Sequence, residues 1–206
     1  MYSTSELSGI CKKALIKLLR KGDKSPLLPG NYRPISLLSV LYKLDSACIT
    51  RQIKPVLQWL ICKEQKAYLT ENNIGSCIFN IINMIHFCNE QKKAAFILLV
   101  DFCKAFDLIN HSYIENCLKL YGFGESIRKW VSLFFNKREA FILFGGNHSE
   151  KIMLEQGVPQ GDVIGPYIFL LSVEILSIKI NYTKHLIGVK YAKTEARSEL
   201  FASSRI

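Results

Sequence analysis

The chain has 206 residues, 49% of them apolar and 21% charged, a balance that supports a sizeable core and excludes disordered and collagen-like classes. It carries 27 Lys and Arg against 17 Asp and Glu, a formal charge of +10, and residues 1–60 alone hold ten basic and three acidic side chains. An excess of this kind, concentrated at the front, points to an acidic partner, nucleic acid first.

Residues 12–24 (KKALIKLLRKGDK) form a basic segment closing on a Gly22-Asp23 turn signal, after which Pro26, Pro29, Gly30 and Pro34 break any helix. Val40, Leu44, Ala47, Cys48 and Arg51 recur near a 3.6-residue period and predict a helix over 39–60 that Pro55 bends or ends. A second helical stretch, 75–89, is rich in Ile, Phe and Met. Residues 95–100 (AFILLV) are apolar without alternation, which predicts a strand covered on both faces and ending at Asp101. Ile114, Cys117, Leu118 and Tyr121, then Ile127, Trp130, Val131 and Phe134, follow the spacing of two amphipathic helices, the first stopped by Gly122. Residues 140–144 and 151–154 flank Gly145-Gly146-Asn147, a hairpin signature. A helix over 167–180 follows Gly165-Pro166, and 186–191 and 198–202 read as a last pair of short strands. The order is that of an α+β fold.

Seven cysteines without CxxC spacing or a Cys–His cluster argue against a disulfide framework or a zinc site. They fit a reducing compartment, so the protein is expected inside the cell, in nucleus or cytoplasm, and not secreted. No signal peptide is legible, and no apolar run reaches the ~20 residues of a membrane span.

Asp101 is the carboxylate of most interest. Fixed at the exposed end of a strand it can bind a divalent metal, and it can equally be a turn or capping residue. Phe106, five residues on, reads as a ring that packs against a sugar or, more commonly, as core. Residues 156–162 (QGVPQGD) form a rigid turn with free amides, suited to close backbone approach to a nucleotide or simply to a turn. Lys12, Lys13, Lys17, Arg20, Lys21, Lys24 and Arg33 read singly as solvated charges and together as a grip on phosphates.

Five segments, NYRPISLLSVLYK (31–43), EQKAYL (64–69), VDFCKAFDLINH (100–111), GVPQGDVIGPYIFLL (157–171) and SELFASS (198–204), resemble in order the motifs of a non-LTR (LINE-type) retrotransposon reverse transcriptase. The resemblance covers about residues 12–206. It implies a right-hand polymerase with a basic, mostly helical fingers-like region 1–94 and partial palm 95–206, acting on RNA and DNA as template and primer and on deoxynucleoside triphosphates, with no membrane involved. It also implies two Mg²⁺ ions held by three palm carboxylates. Asp101 matches the first catalytic aspartate, and the Phe102 carbonyl matches the group facing the second metal. Phe106 matches the aromatic that excludes a 2′-hydroxyl, and Gln160 and Gly161 the loop along nucleotide and template. Arg33 falls in the phosphate-contacting fingers motif.

Two departures from the family pattern matter. The third palm motif ends in two aspartates, and the aligned residues here are Ser203 and Ser204. Where the family has Pro-Gly-Arg-Ser in the fingers, this chain has Thr70, Glu71, Asn72 and Asn73. With Asp101 as the sole remaining carboxylate, Mg²⁺ is not expected to bind productively. The sequence also stops at Ile206, directly after the altered motif, so the thumb is expected to be missing. The expectation is an RNA-directed DNA polymerase by descent, inactive in this chain. The alternatives are a non-catalytic basic module that binds RNA or DNA, and a retrotransposon relic without function.

Overall fold

The structure is a computed structural model that describes residues 7, 9–62, 64–69, 74–135, 137–183 and 188. It divides into two units, the first formed by residues 1–55 and 104–172, the second by 56–103 and 173–206. The α+β expectation holds.

The first unit is built on a mixed sheet. A single helical turn, α1 (Gly9–Lys12), leads into β1 (Lys13–Arg20). Gly22, at φ +56°, reverses the chain, and a 3₁₀ turn over Pro29–Asn31 delivers β2 (Tyr32–Leu38). β2 pairs antiparallel with β1, from Ala14 opposite Leu38 to Arg20 opposite Tyr32. β3 (Arg138–Phe144) runs parallel to β1 on its other side and also pairs with β4 (Asn147–His148) and β5 (Ile152–Leu154). Pro34 has no N–H to give a ladder, and the order β2-β1-β3-β4 places it on an edge strand, where that loss is tolerated. The expected hairpin forms: Gly145 and Gly146, at φ +57° and +82°, link Phe144 to Asn147 as the two left-handed residues of a type I′ turn.

Helices complete this unit. α2 (Val40–Leu60) begins in it, and α4 (His111–Leu120), α5 (Glu125–Phe135) and the first part of α6 (Gly165–Tyr182) belong to it. Asn110 caps α4 by accepting from the Ser112 and Tyr113 amides. Gly122, at φ +76°, ends that helix, with Phe123 N–H donating to Leu118 and Gly122 N–H to Lys119 as a Schellman motif requires. Of the apolar faces read from the sequence, Ile114, Cys117 and Leu118 on α4 and Val131 and Phe134 on α5 are buried, Tyr121, Ile127 and Trp130 are half-buried, and Phe135, outside the pattern, is buried as well.

The second unit contains the end of α2, α3 (Ile74–Glu90), residues 91–103 and the second part of α6. Pro55 does not end α2, which continues to Leu60. The helix absorbs the missing N–H and goes on burying Leu57.

The expected strand over 95–100 is not formed. Residues 93–102 have no regular structure, and Phe96 and Leu99 are 90% and 84% exposed. A strand is stabilised by ladder hydrogen bonds and covered faces, and this segment has neither among the described residues. The strands expected at 186–191 and 198–202 lie outside the described residues. Among the described residues no helix is long and apolar enough to cross a membrane.

Candidate active site

The loop at 157–162 and the segment at 104–111 are knitted together within the first unit. Gly157 has φ +84°, and a Cβ on it would stand 2.7 Å from the Asp107 carbonyl oxygen, so only glycine fits there. Gly157 N–H donates to Ile109 O and Val158 N–H to Phe106 O, both at 2.7 Å. His111 Nε2 lies 2.9 Å from Gly157 O. A carbonyl only accepts, so that nitrogen carries the proton. The His111 ring stacks on Phe135 with 5.7 Å between centroids.

The tip of the loop sits on β2. Ser36 N–H donates to Gln160 O at 2.9 Å, and a Cβ on Gly161, at φ +110°, would meet Ser36 O at 3.0 Å. The Gln160 side chain donates from Nε2 to Asp107 Oδ1 at 3.2 Å. Phe106 is half-buried, its ring 4.7 Å from that of Phe169. Phe106, Gln160 and Gly161, singled out separately in the sequence, thus belong to one local assembly. Arg33 is on β2 as well, opposite Leu19 and exposed.

Beneath the loop lies a buried polar cluster that the sequence reading missed. Asp162 is 6% exposed and accepts from Tyr42 OH at 2.7 Å and from Ser46 Oγ at 2.6 Å. The Ile164 amide donates to Ser46 Oγ at 3.1 Å. Arg138, 1% exposed, places its guanidinium 4.9 Å from the Tyr42 ring centre and Nη1 3.5 Å from the Tyr42 hydroxyl. Burial first, and the Asp162 carboxylate next, hold the Tyr42 pKa well above the usual phenol value. The phenol therefore stays neutral, donating to Asp162 and accepting from Arg138. Tyr42 and Ser46 are one turn apart on α2, a spacing visible in the sequence, but nothing local marks Asp162 or Arg138 as their partners.

The basic candidates belong to the first unit, on and beside α1 and β1. Lys13 and Lys17 alternate with apolar residues on β1 and are exposed, as are Arg20 and Lys24. Arg20 falls on the opposite strand face, because its register is odd relative to Lys17. Lys12 closes α1, and Lys21 Nζ donates to Gly30 O at 3.0 Å. In the second unit, Asp101 and Phe102 are exposed on the irregular segment. Among the described residues no group of three or more His, Cys, Asp or Glu converges as a metal site. Residues 70–73, Ser203 and Ser204 lie outside the described residues.

A family model described as reverse transcriptase (RNA-dependent DNA polymerase) matches residues 19–192. An uncharacterized 149 kDa protein of transposon TX1 from Xenopus laevis is 28% identical over 174 residues, 84% of this chain and 13% of that protein. The Pol polyprotein of retrotransposable element R2 from Popillia japonica is 25% identical over 161 residues, 78% of this chain and 22% of that one. The RNA-directed DNA polymerase from mobile element jockey of Drosophila funebris is 27% identical over 158 residues, 76% of this chain and 17% of that one. The chain thus spans between 13% and 22% of the length of these three relatives.

Proposed function

Because the chain belongs to the reverse transcriptase (RNA-dependent DNA polymerase) family, we propose that it binds template and primer nucleic acid through a fingers-like region, 1–94, and a partial palm, 95–206, and does not polymerise. The observation that carries this reading is the pair Ser203 and Ser204 where the family's third palm motif has two aspartates. A serine hydroxyl is neutral and a weak ligand for a hard dication, and a site for two Mg²⁺ ions needs several carboxylate oxygens. Asp101 alone does not fit that requirement, so no reaction step is assigned to a metal here. In this reading Asp101 is the surviving catalytic carboxylate and Phe102 contributes its carbonyl beside it. Phe106, Gln160 and Gly161 face the nucleotide, and Arg33 faces a phosphate.

Nucleic-acid binding rests on charge instead. The surplus in residues 1–60 includes Lys12, Lys13, Lys17, Arg20, Lys21 and Lys24, and displacement of counterions from phosphates needs no metal. Fluorescence anisotropy with a labelled RNA–DNA hybrid tests it. Affinity is expected to fall steeply between low and moderate salt and to fall again in Lys13→Glu/Lys17→Glu. Absence of binding at low salt sinks the proposal.

A further inference from the structure

We propose that Asp162 is a positioning residue whose buried carboxylate sets the pose of the Gln160–Gly161 tip on β2, an inference that rests on assigning this tip to nucleotide and template. Burying a carboxylate is costly, and the turn itself does not need one: its backbone closes through Asp162 N–H donating to Pro159 O at 3.2 Å. Beside a longer local bond from the Ile164 amide, at 3.4 Å to Oδ1, the carboxylate reaches to α2, where Tyr42 and Ser46 each donate to a different oxygen, at 2.7 and 2.6 Å. Two donors on two oxygens fix the plane of the carboxylate as well as its place.

The tip is thereby held at both ends. On the amino-terminal side Val158 N–H is tied to Phe106 O, and on the carboxyl-terminal side Asp162 is tied to α2. Between these anchors lie Pro159, whose carbonyl closes the turn, and Gln160 and Gly161, which both rest on Ser36. The Ser36–Gln160 hydrogen bond therefore reports the pose of the tip. The Asp162 charge also faces the Arg138 guanidinium across the Tyr42 hydroxyl, so replacing it with an amide alters more than one bond.

The test compares Asp162→Asn with Val131→Ala, a core change in α5 remote in role from the loop, by amide hydrogen exchange and by anisotropy with an RNA–DNA hybrid. In Asp162→Asn, the Ser36 and Val158 amides are expected to lose roughly tenfold more protection than those of α4 and α5. In Val131→Ala all of them should fall together. Hybrid affinity should weaken about threefold or more in Asp162→Asn and stay unchanged in Val131→Ala, and Asp162→Asn/Tyr42→Phe should be no worse than Asp162→Asn alone. Should Asp162→Asn not fold, Ser46→Ala, which leaves the Tyr42 bond in place, gives the same comparison. Uniform loss of protection, or none at the loop, overturns the inference. Selective loss at Ser36 and Val158 in a protein that binds no hybrid leaves the positioning role standing and removes the functional reading instead.

Discussion

The guanidinium of Arg138 has two nitrogens, Nε and Nη2, without a hydrogen-bond partner among the described residues, although the side chain is almost wholly buried. Its charge is compensated indirectly, by the Tyr42 ring and hydroxyl and by Asp162 beyond them. Removing one member of a buried charge pair leaves the other uncompensated, whereas removing both is often close to neutral. Arg138→Met is accordingly expected to destabilise by ~3 kcal/mol, and Arg138→Met/Asp162→Asn by clearly less than the sum of the two single changes. Equilibrium urea unfolding checks this, and strict additivity would show that the two charges are independent. Cys62 offers a second test at this scale. Burial, and then a hydrogen bond with Glu174, push its thiol from 9.0 to about 12. A raised acid holds its proton in the folded state where the unfolded chain would release it. The stability it contributes is thus complete below about pH 9 and lost as pH rises through 12. The neutral thiol is also a poor nucleophile, so at pH 9 iodoacetamide is expected to modify exposed Cys48 and Cys103 well before Cys62, as read by peptide mass spectrometry.

At the scale of elements, what was legible in the sequence is what local chemistry determines. The α4 and α5 helices follow from their apolar spacing, the end of α4 from Gly122, and the β3–β4 hairpin from Gly145-Gly146. β1 was not legible as a strand, because KALIKLLR carries a basic, helix-compatible composition, and its extended form is imposed by pairing with β2 and β3. Residues 95–100 are the converse case: strongly β-prone and yet irregular, since propensity without a paired neighbour does not make a strand. The site divides along the same line. Phe106, Gln160 and Gly161 were legible as motif residues, whereas the contacts of Asp162 with Tyr42 and Ser46 span more than a hundred positions and leave no local signature. Pro55 tests how much an element can override a residue. It deprives the Arg51 carbonyl of its helical donor, yet α2 persists. Pro55→Ala is expected to stabilise the protein by about 1–3 kcal/mol in urea unfolding. A loss of stability instead would mean that the packing of α2 depends on the proline.

At the scale of the whole molecule, the loop of the candidate site is closely hydrogen-bonded, while nucleotidyl transfer, on the proposed reading, lacks its metal ligands. The loop needs only glycines, backbone bonds and the Asp162 cluster, all of which are present. Metal-dependent nucleotidyl transfer needs carboxylates, and on the proposed alignment Ser203 and Ser204 stand in place of two of the three. On the same proposed alignment the fingers add a second deficit, with Asn72 in place of the family arginine and Glu71 beside it carrying the sign of a triphosphate, which repels it. These two deficits are independent, one in the metal ligands and one in the phosphate grip, so correcting either alone leaves the other. Purified protein is therefore expected to give no primer extension on an RNA template with Mg²⁺ or Mn²⁺. Ser203→Asp/Ser204→Asp should raise divalent-cation affinity, measured by calorimetry, while extension stays at most at trace level. Adding Asn72→Arg to that double change should increase whatever extension appears, since the arginine would meet the triphosphate charge. Robust templated synthesis by the unaltered chain would refute the argument, because it would require other carboxylates to serve as ligands. Asp107 is the nearest in sequence to Asp101, and it is already engaged by the Gln160 side chain.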